Sequence, residues 1–123
     1  MYEDFKNYNF TDIQMAKYFI LDDYDKIIIY GRKHLHNQLG FAVQLCTLRF
    51  LGTFIPKPTE ISDKMLDYIS DQLKIDKTLI ALYSFQRTYQ QHRSEIKKTY
   101  GYHDFTEEIH NKNLLDCLLT IFG

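Results

Sequence analysis

Apolar residues along the chain recur mostly at spacings of three and four, strand-like alternation is scarce, and capping residues or glycines fall where helices would begin and end. Thr11 and Asp12 can cap a first helix over Ile13 to about Leu21. Asp22 and Asp23 can start a second that carries Ile27, Ile28 and Ile29 and stops at Gly31. The triple Ile would also suit a strand, but the acidic start, the glycine stop and the lack of a partner strand favour helix. Asn37 opens a third helix, Gln38 to about Phe50, ended by Gly52. Its residues Leu39, Phe41, Ala42, Val43, Leu45, Cys46, Leu48 and Phe50 leave almost no polar side, so it belongs in the middle of a bundle. Arg49, near its end, must reach solvent or a carboxylate, and an internal salt bridge is expected.

Pro56 and Pro58 disfavour helix at the residues before them, which makes 53–61 a loop and a candidate sub-boundary within a single domain, 1–123. Ser62 then caps an amphipathic helix with Met65, Leu66, Ile69 and Leu73 on one side. After a break at Lys74-Ile75-Asp76, Asp76 can cap another helix that buries Leu79, Ile80, Leu82 and Tyr83. Helix, tight turn, helix is the outline of a DNA-binding helix-turn-helix, with Lys74 where a turn glycine is common. It is also how ordinary bundles are built.

The next helix, about Ser84 to Tyr100 and closed by Gly101, places Phe85, Tyr89, His92, Ile96 and Tyr100 in one stripe that should face the core. A packed, hydrogen-bonded role is expected for His92. Opposite the stripe lie Gln86, Arg87, Gln90, Gln91, Arg93, Ser94, Lys97 and Lys98, interrupted only by Glu95. Arg and Lys suit phosphates, and Arg and Gln can pair with base edges, so such a face could both position and read DNA. Thr106, Glu107 and Glu108 can open a last helix ending in the apolar run Leu114 to Phe122, which suggests an N-terminal piece of a longer protein.

Composition narrows the classes. With 123 residues, 45% hydrophobic and 15% aromatic, the chain can support one all-α core, a compact bundle of five to seven helices. No apolar run is long enough to span a membrane and no signal-peptide pattern opens the chain, so a cytosolic protein with no membrane partner is expected. Cys46 and Cys117 have no metal or disulfide spacing and read as core residues. The net charge of −1 hides two basic islands: residues 26–49 carry Lys26, Arg32, Lys33 and Arg49 with no acid, and 87–103 carry Arg87, Arg93, Lys97 and Lys98 against Glu95 alone. Asp22, Asp23, Asp25, Asp63, Asp67 and Asp71 fit helix starts and outward faces. No phosphate loop, zinc-protease or nucleophile-elbow motif is present. His34 and His36 have no third ligand at a metal-binding spacing, so no metal and no cofactor are expected in this domain.

Two strings carry a resemblance. Asn37-Gln38-Leu39-Gly40-Phe41-Ala42-Val43-Gln44-Leu45-Cys46-Thr47-Leu48-Arg49-Phe50-Leu51-Gly52 follows an Asn-Arg-Leu-Gly-Phe-Ala-x-Gln-Leu-Cys-x-Leu-Arg pattern. Tyr68 to Leu73, leading into Arg87-Thr88 and His92 to Ile96, is the other. Both resemble the N-terminal domain of the Tn3 family of bacterial transposases, over about residues 10 to 105, with Gln38 and Lys74 as departures from the pattern. The resemblance implies recognition of the transposon's terminal inverted repeats by this region, with a metal-dependent carboxylate active site elsewhere in the full protein. The partners it implies are double-stranded DNA, the remaining transposase domains and a second copy of the full-length protein. The residues expected to meet DNA are Lys77 and Thr78 at the start of the short helix, and Arg87, Gln90, Gln91, Arg93, Lys97 and Lys98 on the long one. A helical interaction domain, using tyrosine-rich and apolar surfaces, is the alternative.

Overall fold

The computed structural model describes residues 5–101. The expected helix after Thr106, and Cys117 within it, lie outside the described residues. Within them the chain forms α1 (Asp12–Tyr18), α2 (Asp23–Tyr30), α3 (Leu35–Leu51), α4 (Asp63–Leu73), a 3-10 helix (Lys77–Leu82) and α5 (Gln86–Tyr100), with no strand. The all-α expectation and the helical triple Ile are both realised.

Local chemistry sets most boundaries. Thr11 caps α1 in a reciprocal capping box with Gln14, and Asp22 does the same for α2 with Asp25, so each pair satisfies two N–H groups that a helix start leaves open. Ser62 caps α4 through the Met65 amide. The third helix begins two residues before Asn37, at Leu35, behind a His34 that makes no side-chain cap bond.

The middle of α3, Gln38 to Leu48, is buried without interruption, and α3 touches every other element. This is the geometry that its all-round apolar sequence requires, since no face of it could be left in water. The burial pushes the Cys46 thiol up to about 12, so it remains a protonated core group. Phe5, Phe10 and Phe19 gather with Phe50 at the far end of α3, with ring centroids 4.9 to 6.1 Å apart. Polar cross-links close the seams. The Gln72 amide accepts from the Leu21 N–H at 2.8 Å and donates to the Phe19 carbonyl at 2.7 Å, which ties the α1–α2 connection to α4.

The segment after α4 differs from expectation. Lys74 takes the left-handed conformation, φ 60°, that favours the glycine common at this place. The turn is therefore kept, but the next element is a six-residue 3-10 helix rather than an α-helix. Leu79 and Ile80 are half-buried and Leu82 is 56% exposed, so only Tyr83 is buried as expected. The helix-turn-helix outline is left without its second α-helix, because short 3-10 segments present no continuous face.

Tyr83 instead lies across α3 at Gly40. A Cβ at position 40 would stand 2.3 Å from the Tyr83 ring, so only glycine admits this contact. Gly40→Ala is expected to destabilise the domain by about 1–3 kcal/mol in urea unfolding; an unchanged midpoint would show that Tyr83 can move aside. Lys74→Gly should raise stability by up to about 1 kcal/mol in the same assay, by removing the left-handed strain.

Candidate nucleic-acid interface

α5 supplies the outward face, and a buried polar network holds it in place. The Gln44 amide on α3 donates to the Tyr83 hydroxyl at 2.7 Å and to the Tyr89 carbonyl at 3.3 Å. Tyr83 Oη lies 2.7 Å from His92 Nδ1, and the Tyr89 hydroxyl donates to the Tyr83 carbonyl at 2.8 Å. With Gln44 donating into Tyr83, a neutral His92 can take the phenol's hydrogen bond at Nδ1. Burial, reinforced by the nearby charge of Arg32, lowers the His92 pKa to about 4, in keeping with that neutral form.

The far end of α5 is held by an ion pair. Arg49 donates twice to Asp25, at 2.8 and 2.9 Å, and the Tyr100 hydroxyl donates to the same carboxylate at 2.8 Å. The expected internal salt bridge of Arg49 is thus formed. Asp25 stands at the helix start, as expected of it, in the capping box with Asp22, and it is also buried, 1% exposed. Burial alone would raise its pKa, but the hydrogen bonds from Arg49 and Tyr100 and the Arg49 charge outweigh this and hold it below the usual value.

The expected contact residues separate into three groups. Lys77 pairs with Asp67 at 2.9 Å, and Thr78 bonds through both its amide and hydroxyl to Asp76, so these two serve the local turn. Arg93 is turned inward. Its Nε donates to Gln44 at 2.8 Å and its guanidinium to the Ile55 carbonyl at 2.7 Å, which fastens the proline loop to the core. On a helix of 100° per residue Arg93 falls only about 40° from Tyr89, so it flanks the buried stripe rather than opposing it. Arg87, Gln90, Gln91 and Lys98 are exposed, and Lys97 is half-buried beside them. Arg87, Gln91 and Lys98 lie within about 40° of one another, centred opposite the buried Tyr89, His92 and Ile96. Phe85, expected in the core stripe, is 68% exposed because it precedes the helix as its N-cap residue.

Part of the first basic island, Arg32 and Lys33, lies beside the Thr88–Gln91–Glu95 ridge of α5. Arg32 pairs with Glu95 and stacks over Phe41 at 5.1 Å, and Gln38, buried where the family pattern has Arg, donates to the Arg32 carbonyl at 2.9 Å. This docks the α2–α3 turn on α5, and with it Lys33 and Asn37. Neither was among the residues expected to meet DNA; the signal available was the acid-free run 26–49. His34 and His36 stack on each other at 5.5 Å, and no group of three metal-binding side chains occurs among the described residues.

An all-helical domain with a rigidly mounted, acid-poor helix face is the class defined here. The chain belongs to the family described as "Domain of unknown function (DUF4158)", whose model matches residues 2–121. It matches the N-terminal region of Tn3-family transposases. It is 40% identical over 97 residues to "Transposase for transposon gamma-delta" of Escherichia coli (strain K12), covering 77% of this chain and 10% of that protein. It is 31% identical over 94 residues to "Transposase for transposon Tn3926" of Escherichia coli, 76% and 10% respectively. Against "Transposase for transposon Tn21" of Escherichia coli the identity is 32% over 93 residues, 75% and 9%. The chain thus spans about a tenth of the length of these relatives. No solved structure matches it.

The His92 environment predicts a pH dependence of stability. The unfolded chain, with the ordinary value of 6.5, binds a proton that the folded chain refuses until about pH 4. Stability should therefore be full above about pH 6.5 and decline as the pH falls toward 4, by at most about 1.4 kcal/mol per unit from this group. His92→Gln should remove that part of the slope in urea melts at successive pH values. Asp25 acts only below its ordinary value of 3.8, outside this window.

Proposed function

We propose that this domain binds double-stranded DNA at the terminal inverted repeats of a transposon, as the recognition region of a replicative transposase. The observation that carries the reading is the face formed by Arg87, Gln91 and Lys98, with Gln90 and Lys97 at its border. Its side chains have the chemistry that phosphates and base edges require, and none of Arg87, Gln90, Gln91 and Lys98 is needed for the internal network. The transposase names of the relatives support DNA as the partner. Strand cleavage and joining are assigned to the part of the full protein outside this chain, as are further partners, including a second copy. No described helix is long and apolar enough to cross a membrane, and bacterial cytoplasm is the compartment that DNA transposition requires.

A second reading, a protein-interaction domain, is favoured by Ile13, Tyr24 and Ile27, which are 81%, 56% and 72% exposed. Ile13 lies on α1 and Ile27 on α2, while Tyr24 of α2 packs edge-on against Tyr100 at the end of α5, with ring centroids 5.9 Å apart.

Fluorescence anisotropy of the chain with a labelled inverted-repeat duplex and a scrambled duplex, across a salt series, tests the DNA reading. Tighter binding to the repeat is expected, with log affinity falling by about 0.9 per phosphate contacted for each decade of salt. Lys98→Ala should weaken both duplexes alike and lower the slope by about 1, whereas Arg87→Ala or Gln91→Ala, if reading a base, should cost about 1–3 kcal/mol at one position of the repeat. Equal affinity of both duplexes would reduce the domain to a non-specific anchor. Self-association with no DNA binding at low salt would favour the interaction domain.

A further inference from the structure

We infer that the pocket between the α2–α3 turn and α5 is a seat for one backbone phosphate of the DNA, with Lys33 as its cation and Asn37, Thr88 and Gln91 as neutral hydrogen-bond donors. The inference rests on the DNA-binding reading and adds to it a site, a ligand group and residues from a second part of the chain.

A polar concavity of about 300 Å³ is lined by Arg32, Lys33 and Asn37 from one side and by Thr88, Gln91 and Glu95 from the other. Thr88, Gln91 and Glu95 succeed one another at spacings of three and four, so they form a single ridge of α5. Gln91 belongs both to this ridge and to the outward face with Arg87 and Lys98, which makes the pocket continuous with the proposed DNA surface.

The charges in the pocket fit a phosphodiester. Arg32 and Glu95 pair and cancel, which leaves Lys33, exposed and with no ion pair among the described residues, as a single net positive charge beside three neutral donors. A phosphodiester carries one negative charge and oxygens that only accept. The adjoining start of α3 has no acidic residue in its first turn and no side-chain cap, whereas α1, α2 and α4 have both, so the local dipole also favours an anion. A helix cap of Asp or Ser at position 34 would have cancelled this.

Glu95 gives the proposal an opposite-signed test. Glu95→Gln keeps an acceptor for Arg32 but removes the negative charge, so it should strengthen DNA binding, while Lys33→Ala should weaken it. In the anisotropy assay, Lys33→Ala is expected to lose several-fold affinity on repeat and scrambled duplexes alike and to lower the salt slope by about 0.9. Lys33→Arg should restore most of it. Glu95→Gln should gain a few-fold on both duplexes with a steeper slope. Because the two variants shift binding in opposite directions, general loss of structure cannot imitate the result, and circular dichroism melts check that both fold. If the unaltered chain binds DNA but the two variants do not diverge in this way, the phosphate seat is wrong and the broader reading stands. If the unaltered chain fails to bind either duplex at low salt, both are wrong.

Discussion

The Tyr83 ring laid flat on the bare backbone of Gly40 organises the packing around α3. It lets a short 3-10 segment close over a helix that has no exposed side, and it sets the Tyr83 hydroxyl between Gln44 and His92. The polar groups of that layer are cross-linked: Gln44 reaches Tyr83, Tyr89 and Arg93, and Tyr89 returns a bond to the Tyr83 backbone. A buried network of this kind is costly if broken at one point, because each remaining member loses its only substitute for water.

The motif that carries the family resemblance acquires a physical meaning from this. Its Gly is Gly40, the floor under Tyr83. Its Gln is Gln44, the hub of the network, and its Cys is an apolar filler. Its final Arg is Arg49, which neutralises the buried Asp25 and, through Tyr100, pins the end of α5. Gln38, which departs from the pattern, supports the Arg32 carbonyl from within the fold. The string 37–49 therefore mounts the candidate interface more than it forms it. Three of the four arginines in the two basic islands are likewise structural: Arg32, Arg49 and Arg93 each bond within the protein. What is left for a partner is a smaller and better-defined set of cations than the charge count suggests.

The two ends of α5 are restrained by different means, and this bears on how the face would be used. Tyr89, His92 and Arg93 fix its first half to α3 and the proline loop, while Tyr100 fixes its last turn to Asp25. A face held at both ends loses little conformational freedom on binding, so its long side chains, and not its backbone, would have to order on DNA.

Element types, capping residues, the buried middle of α3 and the internal pairing of Arg49 were legible in the sequence, because each arises from short-range periodicity or from the cost of burying a charge. The polar face of α5 was legible for the same reason, apart from Arg93 at its border. Other features depended on groups far apart in the chain. That Tyr83, at the end of the 3-10 segment 77–82, would settle on Gly40 was decided by packing across 43 residues. That Asp25 would be buried was decided by Arg49, and that Glu95 would cease to interrupt a basic face was decided by Arg32. Local pattern determines which residues share a helix side, since that is a matter of 100° steps along one backbone. Which cations remain available outside depends on pairings across 24 to 63 residues of sequence, and only the packed tertiary structure makes those pairings.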